Sequence, residues 1–95
     1  MAIRPTGYPN MQTLVREMRG IPYYLLKEYL QELGGSFVDE NLIRGDGWSV
    51  RLERMEPFRL GSLEVGQTRL TMELEERVAE DFQARLARKT LRAGA

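Results

Sequence analysis

The chain has 95 residues, of which fourteen are basic and fourteen acidic, so its formal net charge at pH 7 is zero. A length below the usual range of roughly 100 to 150 residues predicts a single domain, residues 1–95, with one modest core. The neutral balance argues against nucleic-acid binding, which needs an excess of cations to hold phosphates. Cysteine and histidine are both absent, which excludes disulfides and the thiolate and imidazole groups that most often bind metals or act as catalytic bases.

The amino-terminal segment shows no signal for export or membrane insertion. Residues 1–10 lack an apolar run after their positive charge, and no apolar run elsewhere approaches the ~20 residues needed to cross a bilayer. We therefore expect a cytoplasmic protein without a membrane partner. Prolines, a glycine and an asparagine crowd the same ten residues, which predicts an extended lead-in before the ordered fold.

The first ordered elements are a predicted strand and a predicted helix. Residues 12–19 carry a period-two pattern that predicts a strand ending at Gly20. An apolar residue then recurs every fourth position, which predicts an amphipathic helix with Pro22 at its first helical position and Gly34-Gly35 at its end. The apolar stripe consists of Ile21, Leu25, Tyr29 and Leu33, and it is widened by Leu26 and Leu30.

The middle of the chain returns to period two, with turn residues at short intervals, which predicts four consecutive antiparallel strands. We expect tight turns at Gly45-Asp46-Gly47 and at Gly66, and a bulge at Gly61. One face of these strands is apolar and the other carries both signs of charge, as expected when helices cover one side and water the other. The predicted strands are residues 37–43, 48–53, 58–65 and 68–74.

The tail from Glu75 onward has helical spacing, and its acidic residues precede its basic ones, an order that complements the helix dipole. The predicted order is therefore strand, helix, four strands and helix. This order predicts the α+β class, with an antiparallel sheet and two helices packed on one face.

No constellation of residues indicates catalysis or a bound cofactor. Asp39, Glu40 and Asp46 are the clustered carboxylates outside the last helix, and their spacing fits neither an acid–base pair nor a calcium loop. The tripeptide Arg44-Gly45-Asp46 is typical of a hairpin turn, and we reject a role in adhesion. We expect no metal, no cofactor and no enzymatic activity.

A candidate interaction surface is formed by aromatic residues and by the basic end of the last helix. Adjacent tyrosines diverge by about 100° on a helix, so one of Tyr23 and Tyr24 is expected to be exposed. Trp48 begins an apolar strand face and suits a core position, but exposure near the tyrosines would mark a binding patch. The candidate residues are Tyr23, Tyr24, Trp48, Phe58, Arg85, Arg88 and Arg92.

Three segments carry a resemblance to a known family: RGIPYYLLKEYLQELGG at residues 19–35, GW at 47–48 and FRLGSLEV at 58–65. They resemble a small bacterial family of unknown function, whose domain also occurs as the C-terminal domain of MoaD-related proteins, behind a ubiquitin-like sulfur carrier. The resemblance implies a TATA-binding-protein-like fold and an association with sulfur transfer in molybdopterin cofactor biosynthesis. The chain ends in RAGA rather than the Gly-Gly of a carrier, so carrier activity is not implied.

Two functional hypotheses follow. The first is a non-catalytic accessory or protein-interaction domain, which docks onto a sulfur-transfer or cofactor-biosynthesis protein or forms a homo-oligomer through a sheet edge or an apolar patch. The second is a small-molecule-binding domain with a pocket between sheet and helices, lined by Tyr23 or Tyr24, Trp48 and Phe58.

Overall fold

The computed structural model of the chain describes residues 11–94, and its description of side chains ends at Leu91. The predicted lead-in at residues 1–10 lies outside the described residues. The observed order confirms the predicted α+β class and the sequence of elements, while the TATA-binding-protein-like likeness stays a prediction. The elements are β1 (Met11–Arg19), α1 (Tyr23–Glu32), β2 (Ser36–Asp39), β3 (Leu42–Gly45), β4 (Trp48–Leu60), β5 (Leu63–Glu75) and α2 (Glu76–Gly94).

The five strands form one antiparallel sheet with the spatial order β1-β5-β4-β3-β2. The central strands β4 and β5 are a long hairpin that pairs from Trp48 opposite Leu74 to Leu60 opposite Leu63. Both helices pack on the same face of the sheet, and the other face is uncovered in the described part of the chain. Neither described helix combines the length and the apolar character needed to cross a membrane.

The core lies between the helices and alternate residues of the central strands, because successive strand residues point to opposite faces. Three successive cross-strand pairs of β4 and β5 are almost completely buried on this face. Burying a large aliphatic side chain contributes roughly 1.5–3 kcal/mol, so these pairs and the helix residues above them supply most of the stability. The pairs are Trp48 with Leu74, Val50 with Met72 and Leu52 with Leu70; the helices add Leu26, Leu30, Ala79, Phe82 and Leu86.

Proline and glycine mark the two ends of α1. The predicted C-terminus is confirmed, whereas the predicted position of Pro22 at the N-terminus needs correction. Pro22 has φ −57° and ψ 144°, so it precedes the helix as the N-cap and is not its first helical residue. At the other end Gly34 adopts φ +106° and donates to the Gln31 carbonyl at 2.9 Å. The Gly35 amide donates to the Leu30 carbonyl at 3.0 Å, which completes a Schellman motif.

The predicted strand at residues 37–43 is wrong in its extent, because the chain reverses within it. β2 ends at Asp39, residues 40 and 41 form a turn, and β3 starts at Leu42. The Asn41 amide donates to the Asp39 carboxylate at 2.8 Å, a local bond that lets aspartate initiate a turn without glycine.

The boundaries predicted around β4 and β5 also need correction. Gly61, predicted as a bulge, has φ +63° and lies in the turn between the two strands, whereas Gly66, predicted as the turn, lies inside β5. The bulge lies instead between Met55 and Phe58, where the register shifts around Pro57. Proline has no N–H to donate, so a bulge in which the ladder is interrupted accommodates it.

Candidate interaction surface

The β4–β5 hairpin extends beyond the rest of the sheet. β1 pairs along β5 only as far as Gln67, and β3 pairs along β4 only as far as Arg51. Residues 56–66 therefore form a two-stranded projection, called the ribbon here, with no further strand beside it among residues 11–94. The protein is correspondingly elongated, with principal dimensions of 52 × 27 × 24 Å.

One side of the ribbon is apolar and the other is charged. Phe58 lies opposite Val65, and Leu60 lies opposite Leu63. The register along β5 places these four side chains, called the ribbon face, on the same side as the uncovered face of the sheet. Leu60 and Leu63 are 63% and 59% exposed. On the other side of the ribbon Arg59 and Glu64 form an ion pair at 2.8 Å.

The base of the ribbon is held by polar contacts to β1. The Gln67 side chain donates to the Glu56 carbonyl at 3.0 Å, within the bulge, and accepts from Arg19 Nε at 2.9 Å. The Arg19 guanidinium also stacks over the Phe58 ring, with Cζ 4.0 Å from the ring centroid. These contacts join the base of the ribbon to β1.

The rest of the uncovered face differs chemically from the ribbon face. The Arg69 guanidinium lies between two carboxylates, with nitrogen–oxygen distances of 3.4 Å to Glu17 and 3.6 Å to Glu53. This arrangement confirms the prediction that one face of the sheet carries both signs of charge. An isolated two-stranded hairpin is marginally stable in water, and clustered exposed apolar side chains typically mark an interaction site. The ribbon face is therefore the part of this surface best suited to bind a partner.

Trp48 belongs to the core and not to the candidate surface. Its side chain is 6% exposed, and its ring centroid lies 4.5 Å from that of Phe82 on α2. A Cβ atom at Gly45 would overlap the indole, and one at Gly35 would lie 2.6 Å from its Cη2 atom. The two glycines leave the space that the ring fills, so the structure corrects the assignment of Trp48 to an interaction surface.

Tyr23 and Tyr24 diverge as predicted, and only Tyr24 is freely exposed, at 65%. The Tyr23 hydroxyl donates to the Asn41 side chain, and the Arg54 guanidinium lies 4.1 Å from the centre of the Tyr23 ring. Lys27 Nζ lies 5.0 Å from the same centre. Tyr23 therefore joins the start of α1 to the β2–β3 turn and to β4, and it is already engaged inside the fold.

The environment of Tyr23 predicts a measurable titration. Burial raises the pKa of the phenol above its ordinary value of 10.0; the positive Arg54 opposes this, and the negative Glu40 and Asp39 add to it. The folded state thus holds this proton more tightly than the unfolded state, and the associated stability, present below pH 10, is lost as pH rises through the raised pKa. In an ultraviolet phenolate titration, the wild-type minus Tyr23→Phe difference should have its midpoint above 10. A midpoint at or below 10 would contradict this environment.

The basic residues of α2 are partly committed to contacts within the fold. Arg85 pairs with Asp81 one turn earlier, at 3.7 Å, while Lys89 reaches Glu32 of α1 at 2.6 Å. Arg88 is exposed. The side chain of Arg92 lies outside the described residues. Among the described side chains, neither Arg85 nor Arg88 contacts one of the aromatic candidates.

The structure does not assemble the predicted small-molecule pocket. Phe58 lies on the uncovered face, whereas Trp48 lies under the helices, so the two cannot line a common cavity. A groove between α2 and β1 has a volume of about 120 Å³ and is lined by Met18, Met72 and Leu86, among others. Sites for small organic ligands usually enclose about 300–1,000 Å³, so this groove is small for such a role.

The predicted set thus contributes one residue, Phe58, to the ribbon face, and it missed Leu60, Leu63 and Val65. A usable signal was present in the sequence. Apolar residues are placed symmetrically about Gly61-Ser62, with charged residues between them. That pattern is typical of a hairpin with one apolar face.

The sequence is similar to one family of known proteins. The sequence model of the archaeal MoaD-like protein family matches residues 14–95, which include nearly all of β1 and every later element. No curated protein matches the sequence. The match confirms the resemblance to MoaD-related proteins that the three sequence segments indicated. Because the match covers most of its length, the chain belongs to the archaeal MoaD-like protein family.

Proposed function

We propose that this chain is a non-catalytic protein-interaction domain that docks onto a partner protein through the ribbon face. The observation that carries the proposal is the pairing of Phe58 with Val65 and of Leu60 with Leu63 on a projection beside which no further described strand lies. Interface cores are apolar and rich in aromatic residues, and a few such side chains supply most of the binding energy.

The chemistry of the chain supports a binding role over an enzymatic one. The sequence contains no histidine and no cysteine. Among residues 11–94, no group of three or more acidic side chains is close enough to hold a metal ion. Acid and base roles in catalysis would therefore fall to Asp, Glu, Tyr or Lys.

The partner class that we propose is a protein of molybdopterin cofactor biosynthesis or sulfur transfer. Membership of the archaeal MoaD-like family supports this assignment. Such a partner would present a groove or flat apolar patch to the ribbon face, and acidic groups near Arg19 would complement the guanidinium at its base.

The test compares two doubly substituted forms of the domain in affinity capture, with mass spectrometry of the retained proteins. Leu60→Ser with Leu63→Ser removes the apolar side of the ribbon. Arg59→Ser with Glu64→Ser alters the charged side of the same ribbon and serves as the matched control. We expect the wild type and the control to retain molybdopterin-synthase or sulfur-transfer components. The leucine variant should retain at least about tenfold less of these proteins, because loss of a binding hot spot lowers affinity by about this much.

Thermal unfolding of both variants should stay close to that of the wild type, because all four side chains are exposed. Equal capture by the two variants would exclude the ribbon face as the docking surface. Retention of only unrelated proteins by the wild type would contradict the proposed partner class.

A further inference from the structure

The two edges of the sheet are protected to different degrees. β2 is four residues long and its pairing with β3 shifts register, two features that discourage further strand addition. β1 is nine residues long, contains no proline or glycine, and pairs with β5 in an unbroken register. Among the described residues no strand lies on its outer side. A long, regular edge of this kind is a template for pairing with another strand.

The hydrogen-bonding pattern between β1 and β5 identifies which residues of β1 direct their main-chain N–H and C=O groups away from the sheet. The Gly20 amide donates to the Gly66 carbonyl at 2.9 Å, so this pair is of the hydrogen-bonded type. Because such pairs alternate along an antiparallel ladder, the even-numbered residues of β1 bond to β5 and the odd-numbered residues direct N–H and C=O outward. The outward-directed residues are Met11, Thr13, Val15, Glu17 and Arg19.

These five residues are spaced symmetrically about Val15. Val15 is also a large apolar side chain left 57% exposed, at the centre of the edge and on the uncovered face. A two-fold axis through Val15 would place it opposite its own copy, with Thr13 opposite Glu17 and Met11 opposite Arg19. All nine residues would then be paired, and each outward residue would both donate and accept a main-chain bond.

We propose that β1 is a self-association edge, at which a second copy of this chain pairs antiparallel about Val15 to form a continuous ten-stranded sheet. Two features favour this register: it pairs all nine residues of β1, and it avoids like-charge pairs. With Val15 at the centre, no two like charges lie directly opposite, whereas a shift to Arg16 or to Glu17 as the centre would place each of these charges against itself. Isologous contacts of this kind give closed two-fold dimers.

The first measurement is the mass in solution over a concentration series, by analytical ultracentrifugation. Wild type should pass from one chain to two as concentration rises. Val15→Pro removes the central outward N–H and leaves the bonds to β5 intact, whereas Val15→Thr keeps both the N–H and a β-branched side chain. We expect proline to weaken dimerisation about tenfold to a hundredfold, since two main-chain bonds are lost, and threonine to change it little.

The second measurement tests the register and does not depend on tolerance of proline. The chain has no cysteine, so a single introduced thiol is unambiguous. In the proposed dimer, two copies of residue 15 have Cα atoms about 5.5 Å apart, within the range that a disulfide spans. Under a glutathione redox buffer, Val15→Cys should cross-link faster than Thr13→Cys or Glu17→Cys alone, and a mixture of the last two should cross-link with each other.

Two results would overturn the proposal. One is a wild type that stays at the mass of a single chain throughout the series. The other is cross-linking at equal rates for the three single-cysteine variants, which indicates random collision rather than a fixed register. Neither measurement involves the ribbon face, so the outcome is separate from that of the partner-capture experiment.

Discussion

Replacing Trp48 with alanine should lower the free energy of unfolding by about 3–5 kcal/mol, the usual cost of removing a large buried aromatic side chain. The indole is 6% exposed, contacts Phe82, and fills a space bounded by Gly35 and Gly45. The total free energy of unfolding of a small domain is roughly 5–15 kcal/mol. The variant should therefore unfold at a much lower urea concentration than the wild type, or be unfolded already at room temperature. Urea denaturation followed by far-ultraviolet circular dichroism measures the change, since the variant lacks tryptophan fluorescence.

Tyr24→Ala is the control for this experiment, because Tyr24 is the exposed member of the aromatic candidates. Its stability should stay within about 0.5 kcal/mol of the wild type. A Trp48→Ala protein as stable as the Tyr24→Ala protein would show that the indole contributes no core packing and would return Trp48 to the candidate surface.

Gly35→Ala should cost about 1–3 kcal/mol through overpacking. An added Cβ atom would lie 2.5 Å from Ile43 Cγ2 and 2.6 Å from Trp48 Cη2, both in the core. It would also lie 2.9 Å from the Leu30 carbonyl oxygen, which accepts the bond that ends α1. Relief of these contacts requires movement of the helix end, the indole or β3. The midpoint of urea denaturation measures the loss.

Gly66→Ala is the control for Gly35→Ala, because it adds the same methyl group at a position where nothing overlaps with it. No heavy atom lies within 4 Å of a Cβ built at Gly66, and its φ lies outside the left-handed region. The reduced freedom of the unfolded chain should leave this variant unchanged or more stable, by up to about 1 kcal/mol. Equal losses at the two positions would mean that backbone freedom, rather than close packing, makes glycine necessary at residue 35.

Helical periodicity predicted α1 correctly but not the depth of each residue in its stripe. Leu25 and Tyr29 belong to the predicted stripe, which Leu26 and Leu30 widen, yet Leu26 and Leu30 are the fully buried residues of α1. A period of 3.6 residues identifies an apolar arc, while the contacts with the sheet and α2 decide which part of that arc is deepest.

Strand boundaries were less predictable, because they depend on pairing between distant residues. Gly61 and Gly66 are equally acceptable turn residues locally, and only the pairing of β4 with β5 distinguishes them. Residues 48–53 and 58–65 were predicted as separate strands, but the bulge lets β4 continue past Pro57 to Leu60. The ribbon face escaped prediction for a related reason: period two places Leu60 and Leu63 on one side of a hairpin, but it cannot say whether another element covers them.

The arrangement of β4 and β5 separates two kinds of residue along the same strands. Val50 and Met72 lie in the core, while Leu60 and Leu63 lie beyond the bulge and contribute little to it. Under the proposed docking role, substitutions at the far end would alter partner binding with little effect on stability, whereas substitutions at the near end would disturb the packing of the core. A single hairpin would then hold the domain together with one half and select the partner with the other.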